Sequence, residues 1–381
     1  MAGQASGGMG MSTGSDSPPT REERFKDAAR AAKKRIPGRA PTSPAVEMQE
    51  IASAIGTLAE PEEWDRYVES GPVAVLEHEV TELLGKPAAA MFPSGIMAQQ
   101  ALLRVWTDRQ SSRRVALPGL SHLLHHELDG PQLLHGLRYE RLTAGAQVPT
   151  IADLSAIGGP LGAVLLELPL RAAGYRLPGW DDLARLAEGC SERGVPLHFD
   201  GARLWESAPY LGHSLAEIAA LADSVYVSLY KGLGGMAGAL VAGPEDVVDE
   251  ARQWRRRLGG TLFSMLPYAV SGLRGLRDEL PRMGEYHERA KDLARQLPSR
   301  GVTVDPELPQ TNAFRLLVPV EVSELMERLV GFMTHEGVVV SAPWVAADVP
   351  GWSETEFTVG PATMEWGVAE SVDLLAKALF G

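Results

Sequence analysis

Ser228-Leu229-Tyr230-Lys231-Gly232-Leu233-Gly234-Gly235 is the stretch that decides how this chain is read. An apolar run, Val225-Tyr226-Val227, precedes it, and a second, Ala239-Leu240-Val241, follows. Both flanks read as buried strand, which places Lys231 at a strand end in a partly apolar interior rather than on a solvated face. Burial favours the neutral amine, the form that attacks carbonyl groups. The glycines let backbone approach a bulky ligand closely. Ser228, three residues before the lysine, is placed to reach a phosphate.

A second stretch, His198-Phe199-Asp200-Gly201-Ala202-Arg203-Leu204-Trp205, follows a helical segment, Asp181 to Arg193, and a short strand, Val195 to Phe199. Asp200 then sits at the carboxyl end of a strand, upstream of a strand-end lysine. Pyridoxal phosphate chemistry uses that pairing, because a carboxylate keeps the pyridine nitrogen protonated and the ring able to accept electrons. The structural alternative is an aspartate that caps the next helix.

Asp200 to Trp205, followed by Lys231-Gly232-Leu233-Gly234, resembles the threonine aldolase family, also described as the aromatic amino acid β-eliminating lyase/threonine aldolase group. The resemblance runs from about Tyr67 to Arg257. It implies pyridoxal 5′-phosphate as cofactor. It also implies an α/β fold like that of the pyridoxal phosphate-dependent transferases, a large domain with a mostly parallel sheet plus a smaller C-terminal α/β domain. The expected division is a flexible tail and N-terminal helix over 1–40, a cofactor-binding domain over 41–275 and a small domain over 276–381.

The chain has 381 residues, enough for two domains. Its 45% hydrophobic and 22% charged residues describe an ordinary globular protein, and its net charge of -13 argues against nucleic acid as a partner. No apolar run reaches the roughly 18 residues of a membrane span. The first twenty residues lack an apolar signal core, and the single Cys190 has no disulfide partner. These features lead to the expectation of a cytoplasmic protein that does not engage membranes.

Strand-like and helix-like segments alternate from Ala88 to Gly243, which argues for a sheet covered on both faces. Ligands of such sheets lie beyond the carboxyl ends of the strands. Ser94, His122, Glu167, Asp200 and Lys231 all fall at or just after predicted strand ends. Ser94-Gly95-Ile96 opens a helix, and a helix start offers free N–H groups and a positive dipole end to a phosphate. No set of histidine, cysteine and carboxylate has zinc spacing, so no catalytic metal is expected.

By the resemblance, Lys231 is the cofactor-bearing lysine and His122 stacks on the pyridine face. The expected cofactor-contacting set is Ser94, Gly95, Ile96, His122, Glu167, Asp200, Arg203, Ser228 and Lys231. Arg203 is expected to bind the substrate carboxylate, and His122 or His126 to act as catalytic base. The expected partner is a small amino acid substrate. Arg255-Arg256-Arg257-Leu258-Gly259-Gly260 is similar to a family segment that helps bind cofactor phosphate across a subunit interface. That implies a homodimer or homotetramer with shared active sites.

The chain also departs from the family. Glu167-Leu168-Pro169-Leu170-Arg171 stands where Glu-Asn-Thr-His is common, and Gly38-Arg39-Ala40 where Ser-Asp-Thr is common. Glu356 stands near the place of an arginine that reaches the substrate carboxylate, where its own carboxylate is expected to repel that of the substrate. Arg315, on a neighbouring predicted strand, is the candidate substitute. The expected activity is aldol cleavage of a β-hydroxy-α-amino acid. The alternatives are β-elimination, racemisation or transamination on the same scaffold, or cofactor binding without catalysis.

Overall fold

The apolar runs between Ala88 and Gly243 assemble into one seven-stranded sheet in the computed structural model, which describes residues 19–58 and 62–381. Its strands are β1 (Ala88–Phe92), β2 (Arg114–Leu117), β3 (Arg138–Arg141), β4 (Ala163–Glu167), β5 (Leu197–Gly201), β6 (Ser224–Ser228) and β7 (Ala239–Gly243). Their spatial order is β1-β7-β6-β5-β4-β2-β3, with β7 antiparallel to both its neighbours and the other pairs parallel. Strands β4 to β7 are buried along their whole length, as expected of a sheet covered by helices on both faces.

The expected strands over Ala88–Phe92, Arg114–Leu117 and Ala163–Glu167 coincide with β1, β2 and β4. The strand expected over Val195–Phe199 lies two residues further on, so Asp200 and Gly201 are its last residues. β3 had no signal, because Arg-Tyr-Glu-Arg on a sheet edge is half solvated and needs no apolar face. The helical stretch expected from Pro267 to Leu297 is two helices, Leu266–Asp278 and Met283–Gln296, broken at Pro281.

A smaller four-stranded antiparallel sheet follows, formed by β8 (Thr303–Asp305), β9 (Ala313–Val318), β10 (Val345–Ala346) and β11 (Ser353–Thr358) in the order β10-β11-β9-β8. Helices Val322–Glu336 and Val368–Phe380 accompany it.

The N-terminal helix Arg21–Ala31 has its capping box at Thr20 and Glu23, and Arg24 pairs with Glu327 on the helix Val322–Glu336. Lys34 and Arg35 then pair in parallel with Val338 and Val339. The Gly38 N–H donates to the Thr358 carbonyl at 2.7 Å, and the Trp366 indole donates to the Arg35 carbonyl at 2.8 Å. The start of the described chain is thereby stitched to the smaller sheet and its helices. The flexible tail expected over the first residues lies outside the described ones. Among the described residues no helix is long and apolar enough to cross a membrane.

Candidate active site

A cavity of about 170 Å³ opens beyond the carboxyl ends of β4, β5 and β6. Gly95, Ile96, Gln99, His122, Glu127, Glu167, Pro169, Arg171, Asp200, Ala202, Arg203, Tyr226, Tyr230 and Lys231 line it. A second cavity of about 280 Å³ lies against the other side of Lys231, bounded by Gly38, Arg39, Arg203, Tyr230, Gly232, Asn312 and the Thr358–Pro361 turn. Lys231 and Arg203 are shared by both.

Asp200 is buried, with 1% exposure. Its Oδ2 accepts from the Gln99 amide at 2.8 Å and its Oδ1 from the Ala202 N–H at 3.1 Å. Burial pushes its pKa up, against the pull of Lys231. Burial also pulls the Lys231 ammonium down, against the attraction of Asp200. Desolvation thus favours the neutral amine, as the flanking strands predict. The Trp205 indole, fully buried, donates to the Ser228 carbonyl at 2.9 Å and pins the strand end that leads to the lysine.

Glu167 closes β4. It accepts from the His122 N–H at 2.9 Å and from the Arg171 N–H at 3.3 Å. Burial first, and the nearby Asp200 second, push its pKa up to about 7. The His122 ring nitrogen Nδ1 lies 3.4 Å from the buried Glu127 carboxylate. The pull of Glu127 raises the His122 pKa, while burial opposes it. His126 packs with its ring centroid 5.0 Å from that of His122. Burial, then the charge of His122, pulls the His126 pKa down.

Ser94 caps the helix Gly95–Arg109 by accepting from the Met97 N–H at 3.3 Å. A Cβ added at Gly95 would overlap the Tyr226 hydroxyl, so only glycine fits there. Ser228 is buried, and its hydroxyl has no hydrogen-bond partner of good geometry among the described residues. Free helix-start N–H groups, a glycine cradle and a waiting hydroxyl make a set that a phosphate satisfies. With the Lys231 amine and the Asp200 carboxylate, these groups fit pyridoxal phosphate.

The structure brings nine of the predicted residues to this region: Ser94, Gly95, Ile96, His122, Glu167, Asp200, Arg203, Ser228 and Lys231. His126 is exposed and does not line the cavity, but packs on His122, which does. Arg315 is not brought to it. Its guanidinium is turned to the Ala172 carbonyl, with Glu354 4.0 Å away. Arg255 is also committed elsewhere: it is buried and donates to the Met91 carbonyl at 2.6 Å, bracing the end of β1.

Sequence reasoning missed Gln99, Glu127, Arg171, Tyr175, Glu206 and Tyr226. Glu206 is buried beneath Arg203, with Oε1 3.5 Å from Nη1. Glu356, expected to repel a substrate carboxylate, has its charge matched instead. Its Oε2 accepts from Arg171 Nε at 3.2 Å, from Arg171 Nη2 at 2.9 Å and from the Tyr175 hydroxyl at 2.7 Å.

The fold and the strand-end lysine–aspartate pair define the pyridoxal phosphate-dependent transferase class of α/β folds. Comparison with known proteins narrows this. The family profile of the beta-eliminating lyases matches residues 42–318, and the chain belongs to that family. It is 30% identical over 250 residues to low-specificity L-threonine aldolase 1 of Arabidopsis thaliana, covering 62% of this chain and 69% of that one. It is 29% identical over 253 residues to the low specificity L-threonine aldolase of Escherichia coli K12, covering 65% and 75%. Among solved structures, a putative L-allo-threonine aldolase from Listeria monocytogenes superposes with a TM-score of 0.88 at 37% identity, over 94% of this chain and 99% of the other.

Proposed function

We propose that this chain is a pyridoxal phosphate-dependent aldolase that cleaves the Cα–Cβ bond of a threonine-like β-hydroxy-α-amino acid, giving glycine and an aldehyde. The observation that carries the reading is the meeting of part-buried Lys231, buried Asp200 and the Gly95–Ser228 phosphate cradle at one amino-acid-sized cavity. The cofactor, when bound, supplies a ring that accepts the electron pair left at Cα.

The chain's own residues divide the remaining work. Lys231 is the amine that would carry the cofactor. Asp200, oriented by Gln99, would keep a proton on the ring nitrogen. Helix-start N–H groups at Gly95 and Ile96 and the Ser228 hydroxyl would hold the phosphate. His122, tied to Glu127, would flank the ring. His126 is the better base of the two histidines: its lowered pKa keeps it neutral near pH 7, whereas Glu127 favours the charged form of His122. It takes the β-hydroxyl proton as the aldehyde carbonyl forms. Arg203 holds the substrate carboxylate, a planar task that suits a guanidinium.

We propose further that the protein is a cytoplasmic homodimer or homotetramer with sites completed across subunits. Trp64, Tyr67 and Phe263 are all more than half exposed, and Tyr67 and Phe263 pack edge to face at 5.4 Å. Gly260, three residues away, abuts Met97 on the helix that opens the phosphate cradle. An apolar cluster beside a site is suited to burial against a second copy.

The test is to incubate purified protein and pyridoxal phosphate with L-threonine, L-allo-threonine and phenylserine, and to assay glycine and aldehyde. Stoichiometric release of both, absent in Lys231→Ala, is expected. A visible cofactor band without cleavage of any of the three would overturn the aldolase reading.

A further inference from the structure

Two guanidinium groups, Arg171 and Arg203, line the cavity that holds Lys231. Each has a protein carboxylate at one edge. Arg171 gives Nε and Nη2 to one oxygen of Glu356. Arg203 has Glu206 at 3.5 Å on its Nη1 side. The Arg171 Nη1 group makes no hydrogen bond within the described residues.

A single ring links the two. The Arg203 guanidinium lies over the face of Tyr175, 5.4 Å from its centroid. The hydroxyl of that tyrosine donates to the Glu356 oxygen that holds Arg171. Tyr175 is fully buried and adopts φ +61°, a left-handed conformation that a bulky residue takes only when its surroundings impose it. Its loop is tied down from several sides. Leu170 N–H donates to the Arg176 carbonyl at 2.9 Å, Arg176 pairs with Asp305, and Arg315 donates to the Ala172 carbonyl. The distance between the two arginines is therefore set by a rigid spacer rather than by two flexible side chains.

We propose that Arg171 is the second cationic arm that holds the substrate α-carboxylate, opposite Arg203, with Glu356 and Tyr175 positioning it. The proposal rests on the amino-acid reading of the cavity given above. A carboxylate has two oxygens, and two guanidinium edges on one wall satisfy both with charge-assisted bonds. Glu356 does not compete for that role, because its charge is matched from behind.

The experiment uses the cofactor-loaded protein and Arg171→Gln, Arg171→Lys and Glu356→Gln, with folding checked by circular dichroism. Two readouts are taken: steady-state kinetics with L-threonine, and calorimetric affinity for glycine against glycinamide, which lacks the carboxylate. Arg171→Gln is expected to raise KM by about 30-fold or more. It should also weaken glycine by the same factor and leave glycinamide unchanged. Arg171→Lys should fall between, since it keeps charge without the fork. Glu356→Gln should raise KM several-fold without changing glycinamide affinity. The double variant Arg171→Ala/Glu356→Ala removes the pair together, and serves if a single variant does not fold. Glycine affinity equal in wild type and Arg171→Gln would overturn the proposal. Threonine cleavage by the wild type in that same experiment would leave the aldolase reading standing.

Discussion

Replacing Glu167 with glutamine should remove one pH-dependent contribution to the stability of the ligand-free protein between pH 5 and pH 8. The carboxyl is buried at the end of β4 and faces Asp200, and its pKa is pushed up to about 7 from an ordinary 4.5. A carboxyl whose pKa is raised by folding is held in its neutral form. Its contribution to stability is complete below the unfolded value and is lost as pH rises through the folded one. With 4.5 unfolded and about 7 folded, ionisation costs about 1 kcal/mol at pH 5 and about 3 kcal/mol at pH 8. Glutamine cannot ionise. It keeps one carbonyl oxygen for the His122 or Arg171 N–H, so its own penalty of about 1 kcal/mol does not vary with pH. The difference in unfolding free energy between wild type and Glu167→Gln should then shift by about 2 kcal/mol in favour of the variant from pH 5 to pH 8. Urea denaturation at one fixed protein concentration, followed by tryptophan fluorescence, measures it. A difference that stays flat within about 0.5 kcal/mol across this range would refute the placement of an acid with raised pKa beside Asp200.

Gly95→Ala should fold but lose cofactor affinity by about tenfold or more, because a Cβ there overlaps the Tyr226 hydroxyl at the phosphate cradle; equilibrium titration with pyridoxal phosphate checks it. Arg203→Ala should abolish turnover or raise KM for threonine by about 30-fold or more while the cofactor spectrum survives, and unchanged kinetics would place the carboxylate elsewhere. Tyr67→Asp, which puts a charge into the exposed Tyr67–Phe263 cluster, should shift sedimentation from oligomer towards monomer; a fully active wild-type monomer would sink the shared-site proposal.

Most of the large sheet was readable because its central strands are buried, largely apolar runs that end in chemistry-bearing residues. Ser94, Glu167, Asp200 and Lys231 were found from position alone, since each follows a run such as Ala163–Glu167 whose burial needs no tertiary knowledge. The contacts between distant segments were not readable. Glu356 looked like a repulsive neighbour of the substrate because its partner, Arg171, lies 185 residues away in the chain. Arg315 looked free for the opposite reason: the Ala172 carbonyl that captures it has no signature in sequence. Gln99 is an ordinary helix residue by pattern, and only the fold turns it to Asp200.

The stitching of Lys34–Gly38 to Val338, Val339 and Thr358 has a consequence for synthesis. The partners of this segment emerge from the ribosome roughly 300 residues after it, a delay of roughly 15–60 s at ordinary elongation rates. During that time every strand of the large sheet, β1 to β7, is already made, while the early segment has no backbone partners yet. The smaller unit is therefore the last to be synthesised, and a chain interrupted before it would contain Lys231 and Asp200 but lack the Thr358–Pro361 wall that bounds the cavity beside the lysine.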